Sequence, residues 1–299
     1  MMQQENPFRI VGPGKRAIQR PCRRSWRERT GHIPVISLFF LVCIISGCVL
    51  APVLANHDPT QFYLQHLNQP PDSEFYFGTD SLGRDIYSII WYGGRISLTV
   101  GVLSMIVSAC IGISYGCLSG TAPEWADMLL MRLAELLSSI PGILLLLLLM
   151  AFVPNPDVLS ISALIGVTMW MNLARMVRSE VRQIRNSEYV LASRSMGGGF
   201  WHILWYHLIP NTVSALLFMI ISMMGKAMMT EATLSFLGLG LPVGIVSWGT
   251  MLSLANRALL TNSWWVILIP GAFLIITLIC VTSAGDMLRK EKQQGCSNL

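Results

Sequence analysis

Two charged residues stand inside an otherwise apolar run near the middle of the second half of the chain. Lys226 and Glu231 lie five positions apart within residues 213–236, where Met219, Met223, Met224, Met228 and Met229 also cluster. Charge at that depth in an apolar segment is expensive unless it meets water or another polar group. Lys226 is therefore read as lining a polar path, with Met223 and Met229 as adaptable apolar neighbours. The alternatives are a packing charge for Lys226 and core filling for the methionines. Glu231, nearer the end of the run, is read as fixing structure.

Other chemistry is missing from the sequence. Gly14-Lys15 and Gly225-Lys226 lack the upstream glycine and the following Ser/Thr of a phosphate-cradling loop. No Gly-x-Ser-x-Gly elbow and no His-Glu-x-x-His pair occurs. His202 and His207 are five apart, on different faces of any helix, and no Cys/His pair has zinc spacing. The chain thus carries no catalytic set, no metal site and no nucleotide site of its own, and energy for uphill transport would come from another polypeptide or an ion gradient.

The elements that position these residues follow from composition. Hydrophobic residues make up 53% of the 299 and charged residues 12%, well below the quarter usual in soluble domains. Residues 33–55, 96–119, 130–153, 158–175, 213–236 and 264–285 read as six membrane-spanning helices. The Val53-Leu54-Ala55 end of the first also fits a signal-peptide cleavage site, but its length and the spans that follow favour a retained helix. Pro141 and Pro270 should kink or break the third and sixth spans, and Pro154 and Pro156 mark the turn between the third and fourth.

Lys/Arg asymmetry places both termini in the cytosol. Eight basic residues lie in the 1–32 tail, Arg178, Arg182, Arg185 and Arg194 in the 176–212 loop, and Arg289, Lys290 and Lys292 in the 286–299 tail; the opposite loops offer Arg84, Arg95 and Arg257. A permease domain over 33–285 then has outer loops at 56–95 and 237–263 and one long inner loop at 176–212. None of the seven cysteines falls in an outer loop, so no disulfide framework is expected. Arg132 and Glu135, three apart, should pair on one helix face.

The inner loop is the most informative connection. Ser187 can cap a short helix. Ala192, Ser193 and Gly197 give that helix a small-residue face, Tyr189, Val190 and Met196 add apolar knobs, and Gly197-Gly198-Gly199 ends it. Residues 187–197 through Ile209-Pro210 resemble the EAA loop of bacterial ATP-binding-cassette importer permeases. Leu191, Ala192 and Ser193 take the Glu-Ala-Ala places and Gly197 the glycine, so the first and third places depart from the pattern.

Further blocks resemble the second permease of the peptide/nickel branch of that family. They are Phe77-Gly78-Thr79-Asp80-Ser81-Leu82-Gly83-Arg84-Asp85 with Arg95–Gly101, Glu231–Gly240 with Ser247–Leu252, and Trp264-Trp265 through Pro270-Gly271 to Gly285-Asp286. The glycines at 78 and 83 permit tight turns, and Asp80, Arg84 and Asp85 either pair locally or face a docking protein.

The resemblance covers about residues 35–290 and implies an all-α type I importer permease fold in a bacterial inner membrane. It implies a homologous second permease, two ATPase chains that hold the ATP and Mg, an extracytoplasmic solute-binding protein, and no nucleic acid. It assigns contact with the ATPase to Glu188, Tyr189, Val190, Ala192, Ser193, Met196 and Gly197. The solute would be a short peptide or, alternatively, nickel or a metal chelate. An ion-coupled secondary transporter would show inverted repeats and midplane carboxylates, and a membrane enzyme a clustered catalytic set; neither emerges.

Overall fold

The computed structural model describes residues 32–296 except 186, 188, 189, 191, 192, 194, 198, 200, 201, 203, 204, 207, 208, 243, 255–257, 259 and 260. The fold is helical, and the described residues contain an isolated bridge between Thr79 and Asp85 but no strand. The helices are α1 (His32–Val49), the single turn α2 (Ala51–Leu54), α3 (Ile86–Thr121), α4 (Glu124–Ser139), α5 (Gly142–Met150), α6 (Val158–Arg185), α7 (Ile209–Phe236), α8 (Trp248–Ser253) and α9 (Trp265–Cys296). Four of these, α3, α6, α7 and α9, are long and apolar enough to cross a membrane. The pair α4–α5 does so only as one broken span bent by 85°, and the apolar part of α1 is shorter. The end of the bundle that carries residues 55–85 is called outer below, and the end where α6 stops is called inner.

The break between α4 and α5 falls where proline dictates. Ile140 is extended (φ −80°, ψ 129°), as the residue before Pro141 must be to avoid its ring. Pro270, by contrast, sits inside α9, which runs on through it. So close to the start of the helix, its missing N–H removes a single bond and the chain beyond continues in register. The helix α3 begins at Ile86, well before the apolar run, because Asp85 accepts from the N–H groups of Tyr87 (3.2 Å) and Ser88 (3.1 Å). That early start brings Arg95 into the helix. Its guanidinium donates to the carbonyls of Cys48 and Val49 (2.7 Å to the latter), satisfying two orphan acceptors at the end of α1.

The most intimate packing joins α3 to α6, which run parallel. Ser104, Ser108, Gly112, Gly116 and Gly120 recur every fourth residue along α3 and are all buried. A Cβ at Gly116 would stand 2.6 Å from the Ala174 carbonyl oxygen and 2.6 Å from Val177 Cβ, and one at Gly120 would stand 2.7 Å from Val181 Cγ1. Ser104 donates to the Ser162 carbonyl at 2.9 Å across the same seam. Small residues at this period let two backbones approach closely, which is how helices associate where lipid removes the usual hydrophobic drive.

At the outer end α8 is a short helix folded back between α3, α7 and α9. Its start is a capping box, Ser247 Oγ accepting from Thr250 N at 3.0 Å and Thr250 Oγ1 from Ser247 N at 2.7 Å. Trp248, fully buried, donates its ring N–H to the Ile90 carbonyl (2.9 Å) and its backbone N–H to Ser97 Oγ (3.1 Å).

Candidate functional site

Each family block lands on a definite piece of this frame. The outer-loop motif is a self-contained turn. Asp80 accepts from Leu82 N (2.8 Å), Arg84 N (2.9 Å) and Arg84 Nε (2.8 Å), and both side chains are buried. Thr79 Oγ1 accepts from Gln69 N (2.9 Å) and donates to the His66 carbonyl. Gly83 has φ +76°, and a Cβ there would stand 2.3 Å from the Tyr63 carbonyl oxygen, so no other residue fits. Gly78 is crowded by Gln69 and by Trp265, whose ring N–H donates to the Thr79 carbonyl at 3.1 Å. Asp85 caps α3 and also accepts from Ser88 Oγ at 2.6 Å, with His57 Nδ1 3.4 Å away. Of the two readings open for Asp80, Arg84 and Asp85, this geometry is local pairing.

The same loop holds Asp72, whose carboxylate accepts from Phe75 N (2.6 Å) and Glu74 N (2.9 Å). The Phe75 N–H, chiefly, holds this carboxyl below the usual carboxylate range, because the bond favours the charged form.

The charged residues of α7 separate by face. Lys226 is exposed near the middle of Leu216–Phe236 and forms no ion pair among the described residues. Met229, three residues on, is 61% exposed, whereas Met223, three residues back, is buried among Cys117, Leu173, Val177 and Leu216. Glu231 is fully buried. Its Oε1 accepts from Ser235 Oγ (2.8 Å) and Ser247 Oγ (2.7 Å), which ties α8 to α7 in the structural role expected of it, and its Oε2 has no partner among the described residues. Arg132 and Glu135 pair at 3.0 Å on an exposed face, as their spacing predicts.

At the inner end α6 leads directly into the loop singled out above. Ser187 donates its hydroxyl to the Ile184 carbonyl (2.6 Å), and Val190 N donates to the Ser187 carbonyl (3.1 Å), so the chain turns tightly off the helix. Val190 and Ser193, expected on a face offered to a partner, are turned inward. Val190 is fully buried against Val181, Leu216 and their neighbours. Met196 projects, 84% exposed, and Gly197 follows at φ +86° with nothing within 4 Å of a Cβ position. Glu188, Tyr189 and Ala192 lie outside the described residues.

One cluster escaped the sequence reading. Asp127, buried in the first turn of α4, receives Arg178 through both Nε (2.5 Å) and Nη2, Arg182 Nη2 (2.6 Å) and Ser119 Oγ (2.5 Å). Arg185 reaches the Thr121 carbonyl at 3.4 Å beside it. Arg178 and Arg182, expected in the 176–212 inner loop, both stand on α6. Their spacing of four puts both on one face of α6 and was the available signal.

Comparison with known proteins agrees with the blocks. Residues 112–292 match the family described as binding-protein-dependent transport system inner membrane component, and residues 29–71 match the N-terminal TM domain of oligopeptide transport permease C. The oligopeptide transport system permease protein OppC of Bacillus subtilis is 36% identical over 88% of this chain and 86% of its own length. The dipeptide transport system permease protein DppC of the same organism is 35% identical over 91% and 87%. The glutathione transport system permease protein GsiD of Pectobacterium atrosepticum is 32% identical over 92% and 91%. A bundle of apolar helices and family matches across most of its length agree: the chain belongs to the inner-membrane permeases of ATP-binding-cassette importers, as a non-catalytic subunit of the second-permease, peptide/nickel type.

Proposed function

We propose that this permease, with a homologous second permease, forms the path by which short peptides enter a bacterial cell, driven by two ATPase chains that grip the 187–200 segment. The ATP and Mg belong to those chains, and an extracytoplasmic solute-binding protein delivers the peptide at the outer end. The observation that carries the reading is the layout of the inner end. The helix α6 runs unbroken from the outer side into a segment rooted by Val190 in the bundle and open at Met196. A partner that moves the open edge moves the root with it. The exposed face with Lys226 and Met229 supports a path beside the second permease. An ammonium facing lipid at mid-span costs about 2.5–3.5 kcal/mol, so water or protein is its better neighbour.

Peptide is favoured over nickel or a metal chelate because the OppC, DppC and GsiD relatives are named for oligopeptide, dipeptide and glutathione transport. The test is a membrane complex of all the subunits carrying Met196→Cys, treated with a thiol cross-linker and assayed for uptake of labelled tripeptide and of labelled nickel. Cross-linking to an ATPase chain together with tripeptide uptake is expected. Absence of the cross-link ends the docking assignment, and nickel uptake without peptide uptake ends the peptide assignment.

A further inference from the structure

The strongest unassigned feature is the cluster around Asp127. It is where charge joins three elements: the end of α3 through Ser119, the start of α4 through Asp127 itself, and the last turns of α6 through Arg178 and Arg182. One carboxylate receives two cations and a hydroxyl in a buried place, and the fork of Arg178 engages both of its oxygens. A bidentate arginine fixes direction as well as distance. Beside it, Gly116 and Gly120 let α3 approach Val177 and Val181 of α6 closely. Two residues beyond Arg185, the chain enters the 187–200 segment, and Val190 belongs to the same buried cluster as Val181 and Cys117.

We propose that Asp127 is a positioning residue for energy coupling: it clasps the root of α6 to the α3–α4 elbow, so that a displacement of the 187–200 segment moves α3, α4 and α6 as one body. This rests on the reading that the segment is where the ATPases dock. Without the clasp, the segment and the end of α6 yield to the stroke while the seam above them stays put. ATP is then hydrolysed with less solute moved.

The experiment uses the full complex in proteoliposomes, with the solute-binding protein and a labelled tripeptide, and reads three quantities: ATPase chains recovered per permease, ATP hydrolysed, and peptide imported. In Asp127→Asn the recovery and the hydrolysis should hold while peptide imported per ATP falls about tenfold, within the usual span of coupling between sites. Arg182→Gln leaves the Arg178 fork in place and should lower the same ratio about twofold to threefold, since Arg182 is 45% exposed and half-screened. Asp127→Glu, which keeps the charge, should restore part of the ratio. An Asp127→Asn complex with wild-type peptide per ATP overturns the proposal. So does one in which recovery, hydrolysis and import fall together at a constant ratio, the mark of a merely structural role. If Asp127→Asn does not accumulate, Arg182→Gln decides by the same ratio. Failure of the docking reading would show separately, as loss of the Met196→Cys cross-link in the otherwise wild-type complex.

Discussion

The protein buries an aspartate–arginine site at each end of its bundle, and the two are built differently. At the outer end Asp80 and Arg84 are four residues apart, and the backbone N–H groups of Leu82 and Arg84 complete the carboxylate's shell. At the inner end Asp127 draws its arginines from 51 and 55 positions away and receives no backbone N–H from the described residues. The outer site closes a loop upon itself and can form as soon as that loop collapses. The inner site exists only when α3, α4 and α6 are already packed. A local pair stabilises one piece of structure, whereas a long-range pair ties pieces together and transmits force between them. The outer site is therefore a fastening, and the inner one is suited to a joint.

Breaking the outer fastening should have the larger effect on stability. Arg84→Ala leaves the buried Asp80 without its cation, a change that costs about 3–5 kcal/mol where a buried pair loses one member. The expected outcome is loss of most folded protein from the membrane, read by detergent-solubilised yield and size-exclusion profile. Wild-type yield would mean that the Asp80 turn is held by its backbone bonds alone.

The seam that connects the two ends comes next. Gly116→Leu drives a side chain into the Ala174 backbone and Val177, with overpacking worth about 1–3 kcal/mol and little freedom to relax against a helix backbone. The thermal midpoint of the purified protein should fall, and the peptide moved per ATP should fall with it. Gly142→Leu, where a Cβ meets nothing within 4 Å, is the matched control and should change neither.

The sharpest contrast is a pair of serines. Ser88 donates its hydroxyl to Asp85 at the outer end, and Ser119 donates to Asp127 at the inner end. Each serine-to-alanine change removes one hydrogen bond to a charged group, worth about 1.5–3 kcal/mol. Ser88→Ala also removes the acceptor of the His57 N–H (2.9 Å), so its loss of thermal stability should be the larger of the two. Only Ser119→Ala should lower import per ATP. Equal effects on coupling would erase the functional difference drawn between the two ends.

Legibility in the sequence followed the same division. The outer turn was readable because Gly78, Gly83 and the alternating charges lie within one short block. The break at Pro141 and the Arg132–Glu135 pair were readable because proline sterics and helical spacing act locally. The Asp127 site was not, because nothing near Asp127 in the chain indicates that α6 will lie beside it. The α3–α6 seam left a readable trace in the period-four small residues from Ser104 to Gly120, which hydropathy windows average away. The inward turn of Val190 was hidden for another reason. An apolar residue on a short surface helix suits a partner and the protein's own core equally, and only the tertiary path of α6 decides between them.

The smallest effect concerns how far the outer loop's local character extends. Asp72 lies on the loop surface, and its carboxylate is held below the usual range chiefly by the Phe75 N–H. A carboxyl whose folded value is depressed stabilises the fold above its unfolded value, and that contribution is lost as pH falls through the lower, folded one. The loop should therefore resist pepsin near the usual carboxylate range and become more susceptible only as the pH drops further. Asp72→Asn keeps an acceptor for the Phe75 N–H but has no charge to lose, so its pepsin sensitivity should vary less over the same interval. Because Asp72 is solvent-exposed and its bonds stay within the loop, cleavage should be confined to residues 56–85 while the inner end remains intact. Cleavage appearing at the α3–α4 elbow in the same interval would show that the two ends are coupled through the seam even by a change this small.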